Sequence, residues 1–120
     1  PPTPDLTLFP YPTLFRSRQY SGTGGATDFA AGAYMSRGGR GIVVITSTAK
    51  NGTVSKIQPM LSLGSVVSIS RNWVDCIVTE YGVAHLKGAN IRQRVERLIA
   101  IAHPDFRAEL RREADRLMLW

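Results

Sequence analysis

The sequence YSGTGGATDFAAGAYMSRGGRGIVVIT, residues 20–46, joins a glycine-rich turn, a run of small residues and a β-branched run. It predicts a helix over 26–36 and, over 41–46, a strand buried on both faces. Glycines let backbone N–H groups face an oxyanion, a phosphate or a carbonyl oxygen, although most such turns only connect a strand to a helix. The order of elements indicates a mixed α/β fold.

The rest of the chain continues this alternation. Asn51-Gly52 predicts a hairpin between GIVVITSTAK and TVSKI. Further strands are predicted over 53–58, 65–70 and 75–79, and a short helix over 81–86. Helical spacing of apolar residues predicts two last helices, the second with Pro104 in its first turn. Their apolar stripes are Ile91, Val95, Leu98, Ile99 and Ala102, then Phe106, Leu110, Ala114 and Leu117.

Composition limits the chain to one domain. Its 120 residues are 43% hydrophobic and 20% charged, and no apolar run is long enough to cross a bilayer. The single cysteine, Cys76, lies in an apolar stretch and is predicted to be a buried thiol without a disulfide. We therefore expect a cytoplasmic protein that does not contact the membrane.

The net charge of +6 invites a nucleic-acid interpretation. However, the excess arginines between Arg92 and Arg116 share their helices with Glu96, Glu109 and Glu113. The exposed faces are therefore mixed in charge, and no RNA-binding or helix-turn-helix signature occurs. We expect no nucleic-acid partner.

Four motifs follow one another in the chain: SGTGGATDFAAGA, ITSTAKNGTVSKIQPML, VSISRNWVDCIVTEYGVAHLKG and IRQRVERLIAIAHPDFRAEL. Together they resemble the C-terminal domain of the acetyl-CoA hydrolase/transferase family, which includes 4-hydroxybutyrate, butyrate, succinate and acetate CoA-transferases. The resemblance runs from about residue 18 to about residue 117. It implies the C-terminal domain of the open α/β CoA-transferase (NagB/RpiA/CoA-transferase-like) fold, with two C-terminal helices.

Residues 1–17 differ from the remainder. The stretch TLFPYPTLFRS, residues 7–17, looks like the conceptual translation of a sequencing adapter, with Pro12 as a departure. We expect a non-native, disordered leader over 1–17 and the family domain over 18–120. A native proline-rich extension would also lack regular structure.

The resemblance implies ping-pong chemistry, in which a glutamate attacks an acyl-CoA and carries CoA as a glutamyl thioester. That glutamate is expected upstream of the glycine loop and absent from this chain. Coenzyme A is then a substrate, and we expect no permanently bound cofactor. The implied partners are an acyl-CoA, a short-chain carboxylate, a missing N-terminal domain and, in the full-length enzyme, a second identical subunit. An acetyl-CoA hydrolase and a non-catalytic binding domain stay open as alternatives, and the isolated chain is expected to be inactive.

With the family match, Gly24 and Gly25 are candidates for stabilising the oxyanion through backbone N–H groups, against a purely conformational role. Asp28 is expected to cap or brace this loop. Glu80 ends an apolar strand, where α/β sheets place functional side chains. Glu80 is expected to have an indirect or structural role, in which it binds a loop backbone or orients a neighbour, rather than to act as the nucleophile.

Hydroxyl, ammonium and glycine positions near the predicted strand ends suit an oxygen-rich ligand. Gly22, Ser47, Thr48, Lys50 and Lys56 are therefore candidate contacts for CoA or the substrate carboxylate, although turns commonly contain such residues. His85 and His103 lack ligand partners at usable spacing, so surface or capping roles are favoured and no metal site is expected.

Overall fold

The computed structural model describes residues 14–15, 18–19, 24–63, 65 and 67–119. Three helices are described: α1 (Ala26–Met35), α2 (Ile91–Ala100) and α3 (Pro104–Arg116). The strands are short, and only β6 and β7 reach four residues. In chain order they are β1 (Leu14–Phe15), β2 (Arg18–Gln19), β3 (Ile42–Val44), β4 (Thr48–Ala49), β5 (Val54–Ser55), β6 (Cys76–Thr79) and β7 (Gly82–His85).

A three-stranded sheet in the order β3-β6-β7 organises the domain. Strand β3 is parallel to β6, with Val43 opposite Ile77, and β6 is antiparallel to β7, with Ile77 opposite Ala84. Two antiparallel pairs, β1-β2 and β4-β5, lie outside this sheet. The carboxyl ends of β3 and β6 therefore meet at one edge, called the carboxyl edge below.

One face of this sheet is buried against α2 and α3. The middle row, Val43, Ile77 and Ala84, packs into the core, and helix residues complete it: Val95, Leu98, Ile99, Leu110 and Ala114. Burial of these side chains, at roughly 1.5–3 kcal/mol each, is the main favourable contribution to folding.

Both terminal helices begin at the residues that their sequence indicates. Asn90 and Gln93 form a reciprocal capping box at the start of α2. His103 caps α3 by accepting a hydrogen bond from the Asp105 N–H, and Pro104 occupies the first helical position. The capping role predicted for His103 is confirmed. The predictions of α1, β6, α2 and α3 are also confirmed.

The helix predicted over 81–86 is wrong. This segment forms β7, because Glu80 and Tyr81 make a tight turn and Gly82 adopts a φ of 138°, which side chains rarely allow. Burial then alternates with a period of two, with Ala84 and Leu86 inside and Val83 outside.

Three strand predictions also need correction. Strand β3 covers only Ile42–Val44, and its predicted burial is wrong because Ile42 is 60% and Val44 72% exposed. The strand predicted over 53–58 shrinks to β5 within the β4-β5 hairpin. None of the described residues within 65–70 is in a strand. The residues of these segments have a high β-strand propensity, but strand formation also requires a neighbouring strand to pair with.

Within the predicted leader, Leu14–Phe15 form β1, which pairs with Arg18–Gln19. The other residues of 1–17 lie outside the described residues. The non-native origin of this segment therefore stays a prediction.

Leu98→Ala tests whether the sheet depends on its one buried face. Leu98 is fully buried, so the substitution should lower the free energy of unfolding by about 3 kcal/mol. Ile91→Ala on the same helix is the control, because Ile91 is 47% exposed and should cost about 1 kcal/mol or less. Urea denaturation followed by circular dichroism measures both, and equal losses would contradict the assigned core.

Candidate functional site

Ser47 and Glu80 meet at the carboxyl edge of the sheet. Glu80 accepts the Ser47 N–H at 2.8 Å through Oε2 and the Ser47 hydroxyl at 2.7 Å through Oε1. Ser47 is fully buried, whereas Glu80 is exposed. One carboxylate thus accepts hydrogen bonds from both donors of Ser47, the N–H and the hydroxyl, in the segment that follows β3.

This contact favours the ionised form of Glu80. Its pKa lies below the ordinary value of 4.5, chiefly because the Ser47 hydroxyl donates to the carboxylate, with further contributions from backbone hydrogen bonds and His103. Glu80 is therefore anionic at neutral pH, and both of its oxygens are engaged. Glu80 thus contacts a loop backbone, the N–H of Ser47, as predicted. Its role in catalysis stays a prediction.

The predicted residues Thr48, Lys50 and Lys56 lie in or next to the β4-β5 hairpin, which follows Ser47 in the chain. The hairpin β4-β5 carries Thr48 and Lys50, and its turn places Lys50 and Asn51 at positive φ values of 49° and 54°. Lys56 donates its N–H to the Ser47 carbonyl at 2.8 Å, and its Nζ lies 2.6 Å from the Thr46 hydroxyl oxygen. Lys50 is exposed and Thr48 half-buried, so the hairpin presents an ammonium group at its turn.

Helix α1 follows the glycine loop and lies beside β3, since Ala26, Phe29 and Ala33 line one groove with residues 41–45. A Cβ on Gly41, before β3, would lie 3.9 Å from the Cβ of Ala33, near the end of α1. The C-terminal end of the helix therefore lies beside the start of β3.

Gly24 has a φ of 64°, and Gly25 is the N-cap of α1. Among the described residues no side chain caps this helix, so the predicted capping bond from Asp28 is not formed. Asp28 places a negative charge in the first turn. Among the described residues, no hydrogen bond joins Gly24 or Gly25 to Ser47 or Glu80. Gly22 lies outside the described residues.

Sequence reasoning missed the residues that fix the Glu80 turn. Thr79 donates its hydroxyl to the Ile101 carbonyl at 2.6 Å and accepts the Tyr81 N–H at 3.1 Å. The Tyr81 ring packs edge-on against His103 at 5.4 Å between centroids. Because a helix was predicted over 81–86, this turn was not predicted. The threonine at the end of the strand was the signal that could have indicated it.

Cys76 is buried, as predicted, and its Sγ lies 3.2 Å from His85 Nδ1. Burial raises the pKa of the Cys76 thiol, with Asp75 acting in the same direction. Within the described part of the chain, no three His, Cys, Asp or Glu side chains are grouped so as to hold a metal ion. A search of the same residues finds no helix with the length and apolar character of a membrane span.

Comparison with known proteins gives consistent matches. The sequence model of the acetyl-CoA hydrolase/transferase C-terminal domain matches residues 11–114. The chain is 53% identical over 103 residues to a succinyl-CoA:cyclohexane-1-carboxylate CoA transferase of Geobacter metallireducens, covering 86% of this chain and 24% of that protein. It is 55% identical over 96 residues to a 4-hydroxybutyrate coenzyme A transferase of Clostridium kluyveri, covering 80% and 22%.

The solved structure of RipA from Yersinia pestis matches with a TM-score of 0.75 and 45% identity, over 80% of this chain and 22% of that one. The predicted fold class is thereby confirmed. The chain spans about a quarter of the length of the curated relatives that it matches.

Ser47→Ala tests the origin of the Glu80 charge. Removing the hydroxyl should move the pKa of Glu80 up toward 4.5, because the Ser47 hydroxyl is the largest cause of its depression. Carbon-detected NMR titration of the carboxyl groups measures this. Glu113 is the internal control, since Arg116 lowers its pKa and should continue to do so. An unchanged pKa of Glu80 would contradict the assignment.

Proposed function

Since the chain belongs to the acetyl-CoA hydrolase/transferase family, we propose that it is the C-terminal domain of a CoA-transferase. The enzyme moves CoA between an acyl-CoA and a short-chain carboxylate of the acetate, butyrate, 4-hydroxybutyrate or succinate type. The observation that carries the proposal is the carboxyl edge of the sheet. There Glu80 holds the Ser47 loop at the end of the sheet, within a chain whose family match spans residues 11–114.

In this proposal the reaction proceeds by ping-pong exchange. A glutamate carboxylate outside the sequence given attacks the acyl-CoA thioester and expels CoA thiolate, leaving an acyl-glutamyl anhydride. The thiolate then attacks the glutamyl carbonyl and releases the acyl group as its carboxylate, so that CoA remains as a glutamyl thioester. An acceptor carboxylate reverses these two steps. CoA is a substrate, and no permanently bound cofactor is required.

Each step builds negative charge on a carbonyl oxygen, which the backbone N–H groups at Gly24 and Gly25 stabilise. Positive φ at Gly24 exposes the backbone of this turn. Losing one such donor typically costs about 3 kcal/mol of transition-state stabilisation. Glu80 acts indirectly, as a positioning residue, because its carboxylate holds Ser47 and thereby the β4-β5 hairpin.

The ammonium and hydroxyl groups of this hairpin bind the oxygen-rich parts of CoA or the carboxylate. Lys50 is exposed and Thr48 half-buried on this hairpin. We propose Gly22, which lies outside the described residues, as a further contact. Lys56 contributes from its position beside Thr46. Ser47 acts through the hairpin, because its buried hydroxyl and N–H already bind Glu80.

The full-length enzyme is further proposed to be a cytoplasmic homodimer whose N-terminal domain completes the active site. The length of the relatives supports an additional domain. The sequence has a single cysteine, Cys76, and therefore no disulfide framework of the kind found in secreted domains. The mixed charges on α2 and α3, including the Arg92–Glu96 and Glu113–Arg116 pairs, give no basic stripe for nucleic acid.

A chimera tests the proposed function. It is the C. kluyveri enzyme with its 96 matching residues replaced by those of this chain. We expect transfer of CoA from acetyl-CoA to 4-hydroxybutyrate at a rate within about tenfold of the unsubstituted enzyme, a barrier difference of roughly 1.4 kcal/mol. Chromatographic separation of the acyl-CoA products measures it.

A thiol assay of free CoA, run with and without acceptor, separates the alternatives. Release of CoA independent of acceptor would replace the transferase by a hydrolase. A chimera that is folded by circular dichroism and binds CoA without turnover would indicate a binding domain instead.

Gly25→Ala in the chimera tests the glycine loop. The new Cβ would lie 3.6 Å from the Phe29 ring, an ordinary contact, so the helix should lose about 1 kcal/mol at most. We expect kcat to fall on the order of tenfold or more, because the methyl group displaces the reacting carbonyl from the backbone donors. Gly32→Ala on the same helix meets no atom within 4 Å and should leave kcat unchanged. Equal kcat values for the two variants would contradict the oxyanion role.

A further inference from the structure

The turn that carries Glu80 is in contact with the start of α3. Glu80 and Tyr81 form this turn between β6 and β7. The Tyr81 ring packs edge-on against the His103 ring at 5.4 Å between centroids, and the Arg107 guanidinium carbon lies over the Tyr81 ring at 5.6 Å from its centroid. The turn is therefore held from the helix as well as from its own sheet.

His103 is itself held in place by α3. Its Nδ1 accepts the Asp105 N–H at 3.3 Å as the cap of the helix, and its ring packs against the Phe106 ring at 6.1 Å between centroids. Phe106 packs against the hydrophobic core and lines one groove with residues 53–55 of the β4-β5 hairpin. The His103 ring thus lies between a residue of the Glu80 turn and a residue that borders the hairpin.

The imidazole also lies near enough to Glu80 for their charges to interact. The pKa of Glu80 is lowered chiefly by the Ser47 hydroxyl, and His103 contributes in the same direction. Capping of α3 requires neither this interaction nor the ring contact with Tyr81, because Asn, Asp and Ser are the preferred helix caps. The contacts of His103 therefore exceed what a helix cap needs.

We propose that His103 is a positioning residue for CoA transfer, which acts by fixing the turn that carries Glu80. The inference rests on the proposed function, in which the β4-β5 hairpin binds CoA or the carboxylate. Glu80 is exposed and reaches Ser47 from 33 positions away, so the direction of its side chain depends on the turn. Thr79 fixes this turn from the strand side, and Tyr81 against His103 fixes it from the helix side.

His103→Asn separates positioning from capping. The asparagine oxygen is able to accept the same Asp105 N–H, so α3 should keep its start and its helix content by circular dichroism. The ring contact with Tyr81 is lost. His85→Asn, the same substitution at the other histidine of the chain, is the matched control, because His85 is exposed on β7 and lies outside the proposed site.

Hydrogen exchange of the Ser47 amide measures the hold on the turn in the isolated chain. This N–H donates to Glu80 at 2.8 Å, and we expect its exchange to become at least about fivefold faster in His103→Asn, because a looser turn opens this bond more often. The Ile45 amide, bonded to the Val78 carbonyl, should keep its rate. The His85→Asn control should change neither rate.

The CoA-transfer assay of the chimera gives the functional measurement. His103→Asn should raise KM for acetyl-CoA or for 4-hydroxybutyrate on the order of tenfold and leave kcat within about twofold, because the hairpin contact is made in both ground and transition states. A purely structural role would lower the amount of folded enzyme, and with it kcat, at an unchanged KM. Tyr81→Leu should raise the same KM, and the double variant should raise it no further, since both changes break one contact.

The outcomes distinguish the two proposals. Equal exchange of the Ser47 amide with and without His103→Asn contradicts the inference and leaves His103 as a helix cap. An active chimera in which His103→Asn leaves both KM values unchanged also contradicts the inference alone. A chimera that transfers no CoA before any substitution contradicts the proposed function, and the exchange of the Ser47 amide then still decides whether His103 holds the turn.

Discussion

The parallel pairing of β3 with β6 is the constraint on which the rest of the domain depends. It brings two strand ends to one edge, so that Ser47 and Glu80 become neighbours although 33 positions separate them. Burial of Val43 and Ile77 against α2 and α3 stabilises the pairing from one face. One packed face thus supports the contact between Ser47 and Glu80.

At that edge, the Glu80 carboxylate stabilises structure. Both of its oxygens accept hydrogen bonds from Ser47, and these bonds favour its ionised form. A nucleophilic carboxylate needs an oxygen that is free to reach a thioester carbon. In the proposed function, two tasks are therefore separate: this domain is proposed to shape the edge and supply backbone donors, and a glutamate elsewhere in the protein to perform the covalent chemistry.

Much of the fold could be predicted from the sequence, at the segments where the local pattern fits only one kind of secondary structure. The run ending at Thr79 and the helical spacing from Val95 to Ala114 were such cases. The segment around Val83 was ambiguous, because GVAHL fits both the helical period and the strand period. The turn at Gly82 favours the strand. The burial of β3 and the Ser47–Glu80 contact could not be predicted, since each depends on distant segments. The sequence did indicate strand ends as the location of the site.

The most direct test of this account is to locate the covalent CoA adduct. The chimera is incubated with acyl-CoA and digested, and the modified peptide is sequenced by mass spectrometry. The account predicts the glutamyl-CoA thioester on a glutamate outside the residues of this chain, and an adduct that still forms in the Glu80→Gln variant. An adduct on Glu80, lost in that variant, would contradict the division of tasks and make this domain the source of the nucleophile.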